Sequence, residues 1–412
     1  MTGDEERIVG LLRRLDAEPV RPARVDLAAA MHEGRRRRRS RRAMSVSAAG
    51  VAVLAAVTVP LAFGGERSGG PAPTIPPAAP STPAGPPATT RPPGGPTACT
   101  AEALPIPGGH AKSLVTGGDP TGRFLAGRSY PGDGTGNPVI IWDGDRAREY
   151  RIPGADQQMA DVNSAGVAVG SVYVGDEPQP YVIRNGRPER LRGVPAGEAT
   201  AITDGWIVGA RQVGDRQRPV LWSAPDASAR DLPLPGSRWE GTAVGVDSAG
   251  TAVGKLHDGP TGVTRAVVWR LGAKPELLPM PRLDGGVASE FVPDSFEGGW
   301  ITGTAFLDES GVRRLYAARY HLPTGRYEPL PRGVVPDAGN GRGWVVGSVS
   351  RMDAGLLTDA GTVRLPDFDG RTGRYAALAV SVSDDGRVVG GQLDVAPGGN
   401  GVVMKAVRWR CH

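Results

Sequence analysis

One recurring motif limits what this chain can become. Between Gly241 and Gly285 it reads Gly-Thr-Ala-Val-Gly, turns at Asp247, and repeats Gly-Thr-Ala-Val-Gly up to Gly254. A polar tip follows, then Ala266-Val-Val-Trp269, then Leu277-Leu-Pro-Met-Pro281. These are four short β-like runs separated by turn residues. Aligned on Gly-x-φ-Val-Gly (φ apolar), seven copies end at Gly127, Gly170, Gly209, Gly254, Gly303, Gly347 and Gly390, at intervals of 39 to 49 residues. That period lies in the range of propeller blades.

Each copy has the same internal order. A first run ends in an Asp turn, at Asp119, Asp161, Asp204, Asp247, Asp294, Asp337 and Asp384. Asp suits such turns because its side chain bonds the nearby backbone, so these carboxylates read as structural and not as metal ligands. The third run ends in an aromatic residue at Trp142, Trp222, Trp269, Tyr320 and Trp409, whereas Arg184 and Thr358 break the rule. The fourth run ends in proline, as in Ile152-Pro153, Leu234-Pro235 and Leu365-Pro366. Proline lacks the ladder donor, which places this run at the outer edge of its sheet. Four antiparallel strands, repeated seven times, predict an all-β, seven-bladed β-propeller.

The two ends of the repeat region are complementary. The seventh copy stops after its third run, Val407-Arg-Trp409, and the missing fourth run lies at Ala103-Leu-Pro-Ile-Pro107. The N-terminal strand is therefore expected to close the last blade. Cys99 precedes that strand and Cys411 follows the third run it must pair with, so a Cys99–Cys411 disulfide is expected.

The leader is of another kind. Residues 1–43 hold 12 Arg against 7 acidic residues, while the remainder balances at 36 of each. The basic excess is thus local, and a nucleic-acid partner is not indicated. Residues 4–18 read as a short amphipathic helix with Ile8, Leu11, Leu12 and Leu15 on one face. Arg35 to Arg39, Arg41 and Arg42 abut residues 43–65, an uncharged stretch long enough to cross a bilayer. The arginines put the N-terminus inside the cell. A cleaved signal peptide is the alternative, since Ser40-Arg41-Arg42-Ala43-Met44 resembles a weak twin-arginine signal. The long leader and the lack of a clean small-x-small site favour an uncleaved anchor. Residues 66–98 are Pro-rich and read as an extended linker. The expected organisation is a cytoplasmic tail (1–42), a transmembrane helix (43–65), a linker (66–98) and an extracytoplasmic propeller (99–412).

Two resemblances accompany these motifs. Val139-Ile-Ile-Trp142, Ala266-Val-Val-Trp269 and Ser383-Asp-Asp-Gly-Arg-Val-Val-Gly390 resemble extracellular HAF-type repeats, over Cys99 to His412. The resemblance implies the fold and says little of activity. The first 65 or so residues resemble the leaders of actinobacterial single-pass membrane proteins, some associated with sigma factors. That implies a cytoplasmic protein partner for the tail.

Linear signatures of chemistry are sparse. No HExxH, Gly-x-Ser-x-Gly or Walker loop occurs. His110, His257, His321 and His412 are scattered over different copies, so no metal or cofactor is expected. Asp367-Phe-Asp369-Gly370 has the look of a calcium loop but lacks the later acidic ligands, and reads as a loop between blades. The candidate ligand-facing residues are the departures from the repeat. These are Arg184, and Trp206, Trp300 and Trp344 in the second run, where packing between blades is the competing explanation. The expected function is non-catalytic binding or sensing of an extracytoplasmic ligand. The alternative is a tethered propeller glycoside hydrolase or lyase, whose acids would come from different blades and leave no linear motif.

Overall fold

In the computed structural model, the structure describes residues 94–132, 136–284, 286–309, 311–395 and 403–412. The tail, the 43–65 stretch and most of the linker lie outside these residues. Among the described residues no helix is long and apolar enough to cross a membrane.

Seven four-stranded antiparallel sheets follow one another around a ring. Their innermost strands are Lys112–Gly118, Ala155–Val162, Gly197–Ile202, Trp239–Val246, Glu290–Glu297, Val335–Gly339 and Ala377–Val382. These define blades 1 to 7. In each blade, strands a to d run outward from the centre. A small hairpin, Arg282–Leu283 with Gly286–Val287, is inserted between blades 4 and 5.

The glycine that marks every repeat has a steric cause. Each inner strand carries a β-bulge at the same place, for example between Ala243 and Gly245 or between Ala199 and Ala201. The extra residue bends the strand and pushes a carbonyl toward strand b. A Cβ on Gly254 would lie 2.3 Å from the Thr242 carbonyl oxygen, and one on Gly209 would lie 2.0 Å from that of Glu198. Only glycine fits under the bulge. In blade 7 that position is held by Gly391, paired with Ala379, and not by Gly390 as the sequence alignment had it.

The aromatic position ties neighbouring blades together. The Trp142, Trp269 and Trp409 indoles donate to the carbonyls of Pro105, Pro233 and Pro366 on the preceding blade, at 2.8, 2.7 and 2.7 Å. Trp222 does the same to Arg192 at 2.7 Å. Each ring is fully buried, so its N–H needs such a partner. Register shows that blades 2 and 6 keep an apolar residue here. Two residues beyond the pairings Gly170↔Tyr181 and Gly347↔Gly355 lie Ile183 and Leu357. They are 1% and 5% exposed. Arg184 and Thr358 are one residue further on, so the apparent breaks in the rule were errors of register.

The ring closes as its two ends require. Cys99–Ala103 pairs with Val403–Cys411 as the outer strand of blade 7, with Cys99 opposite Cys411. The two cysteines form a disulfide across 312 residues. The Thr97 N–H donates to the His412 carbonyl at 2.7 Å.

Candidate functional site

The seven bulges converge on the central channel. The unpaired bulge residues are Thr116, Ala160, Thr200, Val244, Asp294, Asp337 and Val380. All seven line a channel cavity of about 190 Å³. A hydroxyl here bridges to the next blade: Thr200 donates to the Ala243 carbonyl at 2.7 Å, and Thr116 donates to that of Met159. Blades 5 and 6 place carboxylates instead. Asp294 receives only a long bond of 3.5 Å from Thr304, and Oδ2 of Asp337 has no hydrogen-bond partner.

The aspartates that align in sequence therefore do not align in space. Asp119 and Asp247 are turn residues, accepting backbone N–H groups of Phe124 and Thr251 at 2.6 and 2.8 Å. Asn163, Asn340 and Ser383 do that work in blades 2, 6 and 7. Asp161 sits just after its bulge and accepts the Ile202 N–H of blade 3 at 2.9 Å. Asp384 accepts the Gly341 N–H of blade 6 at 2.8 Å. Asp204 accepts from Ser164 of blade 2 at 3.1 Å. Asp294 and Asp337 alone occupy the bulge position.

The electrostatics of the channel follow from this placement. Burial raises the Asp337 carboxyl to about 7, with the Asp294 charge adding to it. Asp294 opens onto the channel, but the protein walls exclude bulk water around it. This desolvation lifts it to about 6, against the opposing pull of Lys255 and Thr304. Nearer the a–b turns, Glu297 rises to about 8 through burial and then through the charges of Asp161, Asp384 and Asp247. Asp161 is raised to about 7 by burial, against two backbone N–H bonds. At neutral pH such a site holds both protonated and ionised carboxyls side by side. No histidine or arginine lines it among the described residues. Nor, among them, is any trio of His, Cys, Asp or Glu arranged to hold a metal ion.

The residues singled out in sequence lie elsewhere. Arg184 closes the hairpin between strands c and d of blade 2, paired with Glu189 at 2.8 Å. Trp206, Trp300 and Trp344 lie over the a–b turns of the following blades, against Gly250, Gly343 and Gly386. Trp300 also stacks on His321, with ring centroids 4.3 Å apart, and carries Arg319 on its face. The bulge carboxylates were hidden in sequence because their Asp-Ser and Asp-Ala pairs resemble turn signals.

No family model matches this chain, nor does any curated protein sequence. Solved structures with the same architecture are found. The β-propeller domain of the trilobed protease of Pyrococcus furiosus matches with a TM-score of 0.52 at 10% identity, over 72% of this chain and 95% of that one. A puromycin-hydrolysing peptidase of Mycobacterium tuberculosis matches with a TM-score of 0.47 at 14% identity, over 75% of this chain and 54% of that one. The glycoside hydrolase of Niastella koreensis, a GH74 enzyme, gives 0.42 at 10% identity, over 69% of this chain and 50% of that one. The chain thus spans about half the length of the last two.

The likeness to the Pyrococcus propeller supports the seven-bladed β-propeller fold. It also corrects one expectation. The lack of linear catalytic motifs led to a non-enzyme reading, yet the matching Pyrococcus propeller is part of a protease. This fold does not exclude enzymatic work, and sparse motifs are no evidence against it.

Proposed function

We propose that this chain is a propeller hydrolase acting on carbohydrate through its central channel. The observation that carries the reading is the Asp294–Asp337 pair. The two carboxylates occupy equivalent bulge positions on neighbouring blades, at about 6 and about 7, with an oxygen of Asp337 left unpartnered. Glycoside hydrolysis needs one carboxylic acid and one carboxylate flanking the scissile bond. Asp337, with the higher value, is the acid that gives its proton to the departing glycosidic oxygen. Asp294, ionised at neutral pH, is the base that takes a proton from the attacking water. The channel is smaller than the roughly 300–1,000 Å³ of pockets for drug-sized ligands, so it suits a terminal sugar unit and not the width of a polymer.

Export of the domain belongs to the same proposal. The Cys99–Cys411 disulfide favours an oxidising compartment, in keeping with an anchor at residues 43–65 and a tail that recruits a cytoplasmic partner. Release of reducing ends from oligosaccharides and aryl glycosides by the full-length protein tests the catalytic claim. Turnover that falls by about 100-fold or more in both Asp294→Asn and Asp337→Asn supports it. Turnover that is absent in the folded wild type, or indifferent to both substitutions, sinks it.

A further inference from the structure

A second cavity, of about 350 Å³, lies at the ring closure. Its wall is formed by the loop joining blade 6 to blade 7, the facing ends of strands b and c of blade 7, and the chain just after Ala103. Lining it are Asp367, Phe368, Tyr375, Lys405, Leu104 and Val395. Strand direction places it on the face opposite the a–b turns, so it is separate from the acidic end of the channel.

The loop is held rigidly. Its start is pinned where the Trp409 indole donates to the Pro366 carbonyl at 2.7 Å. The next residue, Asp367, is only 4% exposed. Its Oδ1 accepts the N–H groups of Asp369 and Arg371, both at 2.9 Å. Its Oδ2 has no hydrogen-bond partner. Arg374 pairs with Asp369 at 2.7 Å and lies over the Tyr375 ring. The site therefore combines two aromatic rings, an aliphatic floor, one carboxylate oxygen without a donor, and a lysine.

A buried carboxylate oxygen without a donor is costly, and a ligand that supplies one recovers that cost. A metal ion does not fit, because no trio of suitable ligands exists among the described residues. A simple organic cation is disfavoured by Lys405 on the same wall. Asp369 is already neutralised by Arg374, so Asp367 and Lys405 together leave the cavity without net charge. That balance suits a neutral molecule with hydroxyl donors, hydroxyl acceptors and an apolar face. We infer that this cavity binds one sugar ring of a glycan. A ring C–H face packs on Phe368 or Tyr375, one hydroxyl donates to Asp367 Oδ2, and another accepts from Lys405. The inference shares its ligand class with the channel reading and uses none of the same residues.

The test is equilibrium binding of cellobiose, maltose and chitobiose to the full-length protein, by calorimetry or ligand-observed NMR, with methylammonium chloride as the cationic control. At least one disaccharide is expected to bind with a dissociation constant on the order of 1 mM. Asp367→Asn keeps the Oδ1 acceptor that shapes the loop and removes the acceptor at Oδ2. It should weaken binding by about tenfold or more, as should Lys405→Met. Asp337→Asn, in the channel, should retain the component of binding that Asp367→Asn loses. An unchanged melting temperature in Lys405→Met shows that the fold is intact. The inference fails if the wild type binds none of the three sugars, if Asp367→Asn binds them equally well, or if methylammonium binds in their place. Binding that disappears in Asp337→Asn instead would assign the sugar to the channel.

Discussion

The indole of Trp344 in blade 6 roofs Gly386 in the a–b turn of blade 7: a Cβ on Gly386 would lie 2.7 Å from Trp344 Cζ3. The same relation joins Trp300 to Gly343 at 2.7 Å, Trp206 to Gly250 at 2.9 Å and Phe124 to Gly166 at 2.8 Å. Each of these four a–b turns has a glycine with positive φ, +71° at Gly386, and the previous blade uses the bare backbone as a floor for a ring. The second-strand tryptophans are thus explained as contacts between blades.

Gly386→Ala should therefore pay two costs, left-handed backbone for a residue with a Cβ and a clash with the ring. Together these amount to about 2–4 kcal/mol. Gly144→Ala is the control. Its φ is +58° and nothing lies within 4 Å of an added Cβ, so only the backbone term of about 1–2 kcal/mol applies. Urea midpoints of the two variants measure the difference. Equal losses would show that the ring moves aside freely.

The closure of blade 7 gives the second prediction. The disulfide spans 312 residues, for which chain entropy sets an upper figure on the order of 5 kcal/mol. Cys411→Ser, or reduction of the wild type, should lower the melting temperature and expose the first described residues, from 94, to proteolysis before the rest. Simultaneous cleavage throughout the domain would show that the Cys99 strand is no weaker than the other blades.

Arg408 fastens the same seam from inside. Its side chain is 7% exposed and binds Glu102 at 2.8 Å, the Gly144 carbonyl at 3.0 Å, and Asp145 in blade 1. Although burial opposes it, the hydrogen bonds to Asp145 and Glu102 keep the guanidinium above its ordinary range. Arg408→Met strips Glu102 of one partner and leaves the Gly144 carbonyl without its donor, at a cost of about 1–2 kcal/mol. Asp145 is 79% exposed at its side chain, so Asp145→Asn should cost less than about 1 kcal/mol. Comparable losses from the two would assign the main role to the exposed pair.

The ring was legible in sequence because its invariants answer steric demands of every blade. The glycine under the bulge, the buried apolar residue of the third strand (an indole in four blades) and the proline-ended edge strand are of this kind. The register was less so. A bulge inserts a residue that no spacing rule reveals, so Asp294 and Asp337 were grouped with the true turn residues Asp119 and Asp247. Ile183 and Leu357 fill the place of the indole without an aromatic signature, because the fold asks only for a buried apolar side chain there. Of the cavity beside Asp367 only the Asp367-Phe-Asp369-Gly370 loop stood out in sequence, since its other walls come from the two ends of the domain.

The acidic channel makes a final, pH-dependent prediction. Asp161, Asp294, Asp337 and Glu297 have folded-state values of about 7, 6, 7 and 8, all above those of an unfolded chain. The folded state therefore retains protons that the unfolded state has released across the interval from about pH 4 to about pH 8. Stability from these groups is full below that interval and is lost as the pH rises through it. Asn resembles the protonated acid in shape and carries no charge at any pH. Asp337→Asn should accordingly stabilise the protein by roughly 3 kcal/mol near pH 8 and by little near pH 4, while abolishing hydrolysis. Gain of stability with loss of activity is the mark of a residue kept for chemistry at the expense of the fold. Denaturant titrations of both proteins across the interval check it. A parallel pH dependence in wild type and variant would mean that Asp337 is not the buried acid on which the channel mechanism depends.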